Sequence, residues 1–418
     1  MIKRILYTLL IMFPVVASAQ INTDRVMAIG RNALYFEDYV LSIQYFNQVI
    51  NAKPYLSDPY FYRGLAKINL DDFQGAESDC SEAIERNPFV VSAYQVRGLA
   101  RIQQNNFAGA IEDYTKALEF DPENIGVWHN MALCRIRQED YKGAKNDLDK
   151  LIAISPRYTK AYLMRGEVDL KQKDTLAAEK DFGKAIEIDR YDADTWASRA
   201  ILRLQQQRYK DAEADFDHAI RLSTRNSGVY INRALARYHQ NNLRGAMSDY
   251  DIALDIDPNN FIGHYNRGLL RAQVGDDNRA IQDFNFVIEM EPDNMMAIFN
   301  RGLLLDQTGD YKGAIKDYST VINEYPNFLL GYQYRAQARR KIGDVKGADA
   351  DEFKVLKAQL DKQNGVDPNK QTADNTENNK TRKKSDKNMN NYRKIVVADN
   401  EEGEEKYKSD YRGRVQDK

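Results

Sequence analysis

The sequence predicts an all-α solenoid of ten stacked helical hairpins, followed by a disordered C-terminal tail. Three observations carry that reading. Pro54, Pro88, Pro122, Pro156, Pro258, Pro292 and Pro326 are spaced by 34, 34, 34, 102, 34 and 34 residues, and 102 is three times 34. A period of this length, kept without insertion or deletion, marks a repeat architecture. Every unit cut at that period carries Gly or Ala at its eighth position, where a second helix can come close. From Asn364 onward the period is lost and the composition turns to Asn, Lys, Asp and Thr, too poor in apolar residues to order itself.

Taken in chain order, residues 1–19 read as a secretory signal peptide. Lys3 and Arg4 open it, Ile5 to Val16 is an apolar stretch too short for a comfortable bilayer span, and Ala17-Ser18-Ala19 supplies a small-x-small cleavage pattern. Cleavage there would leave Gln20 first; an uncleaved anchor or a buried helix is the alternative. No other stretch approaches the length of a membrane span, so no integral membrane segment is expected after signal removal.

The solenoid is assigned to residues 20–362. Its ten units are 23–56, 57–90, 91–124, 125–158, 159–192, 193–226, 227–260, 261–294, 295–328 and 329–362. Position 4 is bulky in most units (Tyr60, Tyr94, Trp128, Tyr162, Trp196, Tyr230, Tyr332). Position 8 is small throughout, as in Gly30, Gly98, Ala132 and Gly166. Position 20 is Ala from Ala76 to Ala348, and position 24 is aromatic in Phe46, Tyr114, Phe182, Phe216, Tyr250, Phe284 and Tyr318. Asn105-Asn106, Asn241-Asn242, Gly275-Asp276 and Gly309-Asp310 are turn-formers between two helices, and proline at position 32 stops the second one.

These positions at this period resemble the tetratricopeptide repeat family over residues 23–362. The resemblance implies a right-handed superhelix of antiparallel helix pairs whose first helices line a concave groove that binds peptides or protein surfaces. A single hairpin cannot bury its own apolar face, so stability is expected from stacking.

Two positions depart from the family pattern. Position 7, usually apolar, is Arg63, Arg97, Arg165, Arg199, Arg233, Arg267, Arg301 and Arg335. Position 23 is Asp79, Asp113, Asp147, Asp181, Asp215, Asp249, Asp283, Asp317 and Asp351. Unit 1 has Ile29 and Tyr45 instead; unit 4 has Met131 with Asp147, and Arg135 one turn on as a substitute. The joint occurrence predicts a structural Arg–Asp ladder within or between hairpins, against the simpler reading of independent solvated charges.

By the same resemblance, positions 5, 9 and 12 face the groove. They are Phe61, Leu65 and Ile68; Gln95, Leu99 and Ile102; His129, Leu133 and Ile136; Ala197, Ile201 and Leu204; Ile231, Leu235 and Tyr238; Tyr265, Leu269 and Ala272; Phe299, Leu303 and Asp306. Glu167 breaks the stripe in unit 5. Either the stripe takes an apolar or extended peptide, or it packs between neighbouring first helices. No unit has the Lys and Asn at positions 5 and 9 that the family's chaperone-tail clamp needs. Unit 10, with Gln333, Gln337, Arg340 and Glu352, is expected to be a polar cap.

In the tail, residues 363–418, Ile395-Val396-Val397-Ala398 is the only strand-like piece. It either adds to another protein's sheet edge or is a bare apolar spot. Cys80 and Cys134 fall on different helices two units apart and are expected as buried free thiols.

The chain has 60 Lys and Arg against 62 Asp and Glu, a near-balance that argues against nucleic acid as the partner. It shows no phosphate loop, metal-spaced cluster or nucleophile elbow, and its four histidines fall at four different repeat positions. No enzyme activity, metal or cofactor is therefore expected. The reading is an exported protein–protein interaction scaffold of the cell envelope, in the periplasm or peripheral to the outer membrane, with a holdase-like chaperone for unfolded exported proteins as the alternative.

Overall fold

The computed structural model describes residues 22–222, 225–364, 389 and 393–395. The signal read from residues 1–19 and most of the tail lie outside them. Among the described residues there are twenty helices and no strand. They fall into two compact units, one ending at Ile188 and one beginning at Asp189, where the period alone predicts one array.

In the first unit the helices are α1 (Thr23–Tyr35), α2 (Tyr39–Ala52), α3 (Asp58–Ile68), α4 (Phe73–Arg86), α5 (Val91–Gln103), α6 (Phe107–Phe120), α7 (Ile125–Arg137), α8 (Tyr141–Ile154), α9 (Thr159–Lys171) and α10 (Thr175–Ile188). The second unit has α11 (Ala193–Gln205), α12 (Tyr209–Arg221), α13 (Ser227–His239), α14 (Leu243–Ile256), α15 (Phe261–Gln273), α16 (Asp277–Met290), α17 (Met295–Thr308), α18 (Tyr311–Glu324), α19 (Leu329–Lys341) and α20 (Val345–Gln363). Odd helices open hairpins and even helices close them. Within the units, first helices of successive hairpins touch, as α3 does α5 and α15 does α17.

Each hairpin turns by the same device. The fifteenth residue has positive φ, from Glu37 and Asp71 through Lys173 to Gly275, Gly309 and Gly343. The next residue caps the second helix: Asp38, Asp72, Asn106, Asp140, Asn242 and Asp310 each accept a bond from the N–H three residues on. At the far end the residue before proline is held out of the helical region, as Asn87 is at φ −146° and ψ 97°. The ring of the following proline excludes helix there.

The core is the meeting of positions 8, 20 and 24. Ala76, Ala110, Ala144 and Ala178 are fully buried, as are Phe46, Tyr114, Phe182 and Phe216. The Phe182 ring lies so close to Gly166 that a Cβ on Gly166 would stand 2.5 Å from it, which explains the small residue at position 8. Position 4 supplies a polar tip as well as bulk. Tyr60, Trp128, Tyr162 and Trp196 each donate to the carbonyl six residues back, on Pro54, Pro122, Pro156 and Arg190.

Two expectations need correction. The last hairpin is not polar throughout: on α20, Phe353 is 66% exposed and Leu356 53%, among exposed charged residues such as Glu352 and Lys357. In the tail, Ile395 is neither in a strand nor bare; it is buried against the second unit's own helices, while Val396–Ala398 lie outside the described residues. Cys80 and Cys134 are both buried and free. Burial pushes the Cys134 thiol up to about 12, and burial, then the Asp79 charge, raises that of Cys80 further.

Candidate functional site

The repeated charges come first, because they hold the first helices in place. In eight hairpins the position-7 guanidinium grips the position-23 carboxylate of the same hairpin. Arg165 Nε donates to Asp181 Oδ2 at 2.6 Å and Nη2 to Oδ1 at 2.8 Å; Arg301 and Asp317 repeat this at 2.8 and 2.7 Å. The remaining Nη1 reaches the preceding hairpin, from Arg63 to Asn47, Arg165 to Asp149, Arg233 to Asp217 and Arg301 to Asn285. One arginine thus ties its own hairpin and its neighbour together. Its plane also lies over the position-4 ring, with Arg199 5.1 Å from the centroid of Trp196. A lysine has no planar fork for this geometry.

Position 11 holds a second cation that sequence reasoning missed. Lys67, Arg101, Arg203, Arg237, Arg271 and Arg339 each lie within 3.0 Å of the aspartate already bound by position 7. The signal was legible, since position 11 is basic in seven of the ten units. The balance differs between hairpins: burial prevails at Asp113 and raises its carboxyl despite Arg97 and Arg101, whereas Asp283 is held low. Burial pushes its carboxyl up, but bonds from His264 and Arg267 and the Arg271 charge hold it below the ordinary carboxylate range. Hairpin 4 differs, with only Arg135 present. Arg135 Nε stands 2.7 Å from Asp147 Oδ2, yet the pair is not aligned for a hydrogen bond. Burial there prevails and raises Asp147 to about 6.

The predicted groove residues separate into two sets. Phe61, Leu65, Ile102, Leu133, Leu204, Ile231, Leu235, Tyr265 and Phe299 are buried, packed among the helices. Ile68, Leu99, Ile136, Ile201, Tyr238, Leu269 and Leu303 remain half-exposed. Burial is most consistent at position 5, so that position serves packing; the accessible part of the stripe is at positions 9 and 12.

In the second unit three of these half-exposed residues share one cavity of about 350 Å³. Tyr238 of α13, Leu269 of α15 and Leu303 of α17 line it, with Phe284 behind and Gln273, Asn300 and Gln307 as polar groups. Tyr238 Oη donates to Gln273 Oε1 at 2.8 Å, and Asn300 Nδ2 donates to the Met296 carbonyl at 2.9 Å. Asn232, Asn266 and Asn300 occupy position 6 in three successive hairpins and are all buried; the sequence reading overlooked them. The cavity lining is mixed, with apolar side chains and several oriented amides. Its remaining wall comes from the tail, through Arg393 and Ile395.

The histidines are dispersed. His129 Nδ1 is 3.2 Å from Tyr158 Oη, His264 lies between Asp283 and the Pro258 carbonyl, and His218 and His239 stack on Trp196 and Tyr209. Among the described residues no three of His, Cys, Asp or Glu converge as a metal site, and no helix is long and apolar enough to cross a membrane.

Known proteins give a consistent picture. Models described as TPR repeat or tetratricopeptide repeat match residues 98–134, 125–158, 159–192, 198–261 and 265–327. Among solved structures the chain is similar to a tetratricopeptide repeat protein from Parabacteroides merdae, at 21% identity over 60% of this chain and 98% of that one, with a TM-score of 0.47. The C-terminal part of a TPR repeat-containing protein from Cytophaga hutchinsonii matches at 18% identity over 57% of this chain and 97% of that one, with a TM-score of 0.48. YrrB, described as a TPR protein with an unusual peptide-binding site, matches at 18% over 44% and 95%, with a TM-score of 0.40. No curated protein matches the chain.

Proposed function

Because the chain belongs to the tetratricopeptide repeat family, whose members bind protein or peptide partners, we propose that it is a non-enzymatic scaffold. It takes a peptide or protein surface on positions 9 and 12 of its first helices. The observation that carries this is the cavity walled by Tyr238, Leu269 and Leu303, apolar side chains that stay half-exposed while position 5 packs away. The pattern of residues 1–19 supports work in the cell envelope, as an adaptor in the periplasm or at the outer membrane's inner face.

The test is a photoreactive residue at Leu303, with a matched one at Leu99 in the first unit, followed by cross-linking in intact cells and mass spectrometry. One or a few discrete foreign proteins captured at Leu303 is the expected result. A broad smear of unfolded exported chains would make the protein a holdase instead. Signal-less protein remaining functional in the cytoplasm would overturn the envelope assignment.

A further inference from the structure

The described tail residues lie against the candidate site. Met389 is only 5% exposed and joins the apolar cluster of Tyr265, Phe299 and Phe328. Ile395 is 8% exposed and joins that of Ala197, Leu204 and Leu235. Leu269 packs against both clusters and so lies between them. Arg393 and Lys394 are exposed beside Ile395, whose aliphatic side chain is covered.

The order of these contacts defines a direction. Met389 goes with hairpins 8 to 10 and Ile395 with hairpins 6 to 8, so these two tail residues follow the reverse of the repeat order. The six residue steps from Met389 to Ile395 reach about 20 Å when extended. Two steps between packed helices take about 16–20 Å. Met389 and Ile395 are therefore close enough along the chain to reach both clusters, and the sequence between Asn364 and Met389 is long enough to bring them there.

We propose that the site on α13, α15 and α17 is a receptor for peptides bearing two large aliphatic side chains six residues apart, with a cation next to the second. The chain's own Met389 and Arg393–Ile395 fill it in cis as an internal ligand, and an outside partner of the same chemistry must displace them. This rests on the reading of that face as a partner site. A tethered ligand competes at an effective concentration of about millimolar, so it excludes weak peptides and admits tight ones.

The test uses the full chain, wild type and the double variant Met389→Asp/Ile395→Asp, with a fluorescent synthetic peptide of residues 385–399 as probe. The peptide is expected to bind the double variant at least tenfold more tightly than wild type. A peptide carrying the same two substitutions is expected not to bind. Circular dichroism of the two proteins should superimpose, because both substitutions lie outside the hairpins. Equal affinity for the two proteins, or no binding to the variant, overturns the proposal. Wild type sedimenting as a dimer that the double variant abolishes overturns it too, because the tail would then dock in trans. Peptide binding without any foreign protein captured at Leu303 leaves the internal ligand standing and removes the partner reading; capture without peptide binding does the reverse.

Discussion

Asp249 lies between two guanidinium groups, Arg233 at 2.6 Å and Arg237 at 2.8 Å, and is almost wholly buried. Such pairs contribute little net stability, because desolvation offsets the attraction, but removing one member strands the other charges. Asp249→Ala is therefore expected to cost about 3–5 kcal/mol in urea unfolding, the range for a broken buried pair. A loss below about 1 kcal/mol, the value of a solvated surface pair, would show that the ladder is only a row of exposed charges. Asp147 has a pH signature of its own. Its folded value, about 6, lies above the ordinary carboxylate range, so its contribution is fully present below that range and is lost as pH rises through about 6. Asp283, held low, behaves oppositely: its contribution is present at neutral pH and lost as pH falls through its depressed value. Compared with Asp147→Asn, the wild type should gain stability between pH 7.5 and 5. Met131→Arg should move the Asp147 carboxyl titration, followed by carbon NMR, to lower pH. Tyr250 has a fully buried hydroxyl without a hydrogen-bond partner, and Tyr250→Phe is expected to stabilise the protein by about 1 kcal/mol. Destabilisation of that size would mean a bound water satisfies the hydroxyl.

At the scale of one hairpin, the turn and the close approach make opposite demands on side chains. In hairpin 5, Lys173 sits at φ 66°, a conformation that costs a side-chain-bearing residue about 1–2 kcal/mol. Hairpins 8 to 10 place Gly275, Gly309 and Gly343 there. Lys173→Gly should raise the stability of this hairpin, with about 1 kcal/mol left after the entropy that glycine adds to the unfolded chain. Gly166→Val in the same hairpin should do the reverse, losing about 1–3 kcal/mol as the Phe182 ring is forced aside. Urea midpoints of the two variants that moved in the same direction would contradict the common geometry assigned to these hairpins.

Across the whole molecule, hairpin stability comes from neighbours, so hairpins 1 and 10, with a chain neighbour on one side only, should open most easily. Native-state amide exchange should be fastest in α1–α2 and α19–α20 and slowest in hairpins 3 and 8; uniform protection would indicate one cooperative block. The repeat period, the helix pairs, the turns and the Arg–Asp partners were all legible in the sequence. Each is a local rule repeated along the chain, ten times for the hairpin and eight for the Arg–Asp pair, and repetition lifts such a rule above the noise of a single helix. Position 11 and the buried asparagines were equally visible as columns of like residues, but which of them face a carboxylate or a cavity depends on the rotation of each helix against its neighbours. The boundary at Ile188 left no mark in a register that runs through it unbroken. Nor could sequence separate the buried half of the apolar stripe from the exposed half, since both obey the same helical spacing. The position of Met389 and Ile395 was beyond reach for a related reason: two apolar residues in a polar tail have no period. Local pattern therefore determined the hairpin and its ten copies, whereas packing between distant segments decided which surface is covered, and by what, because burial is a property of neighbours in space.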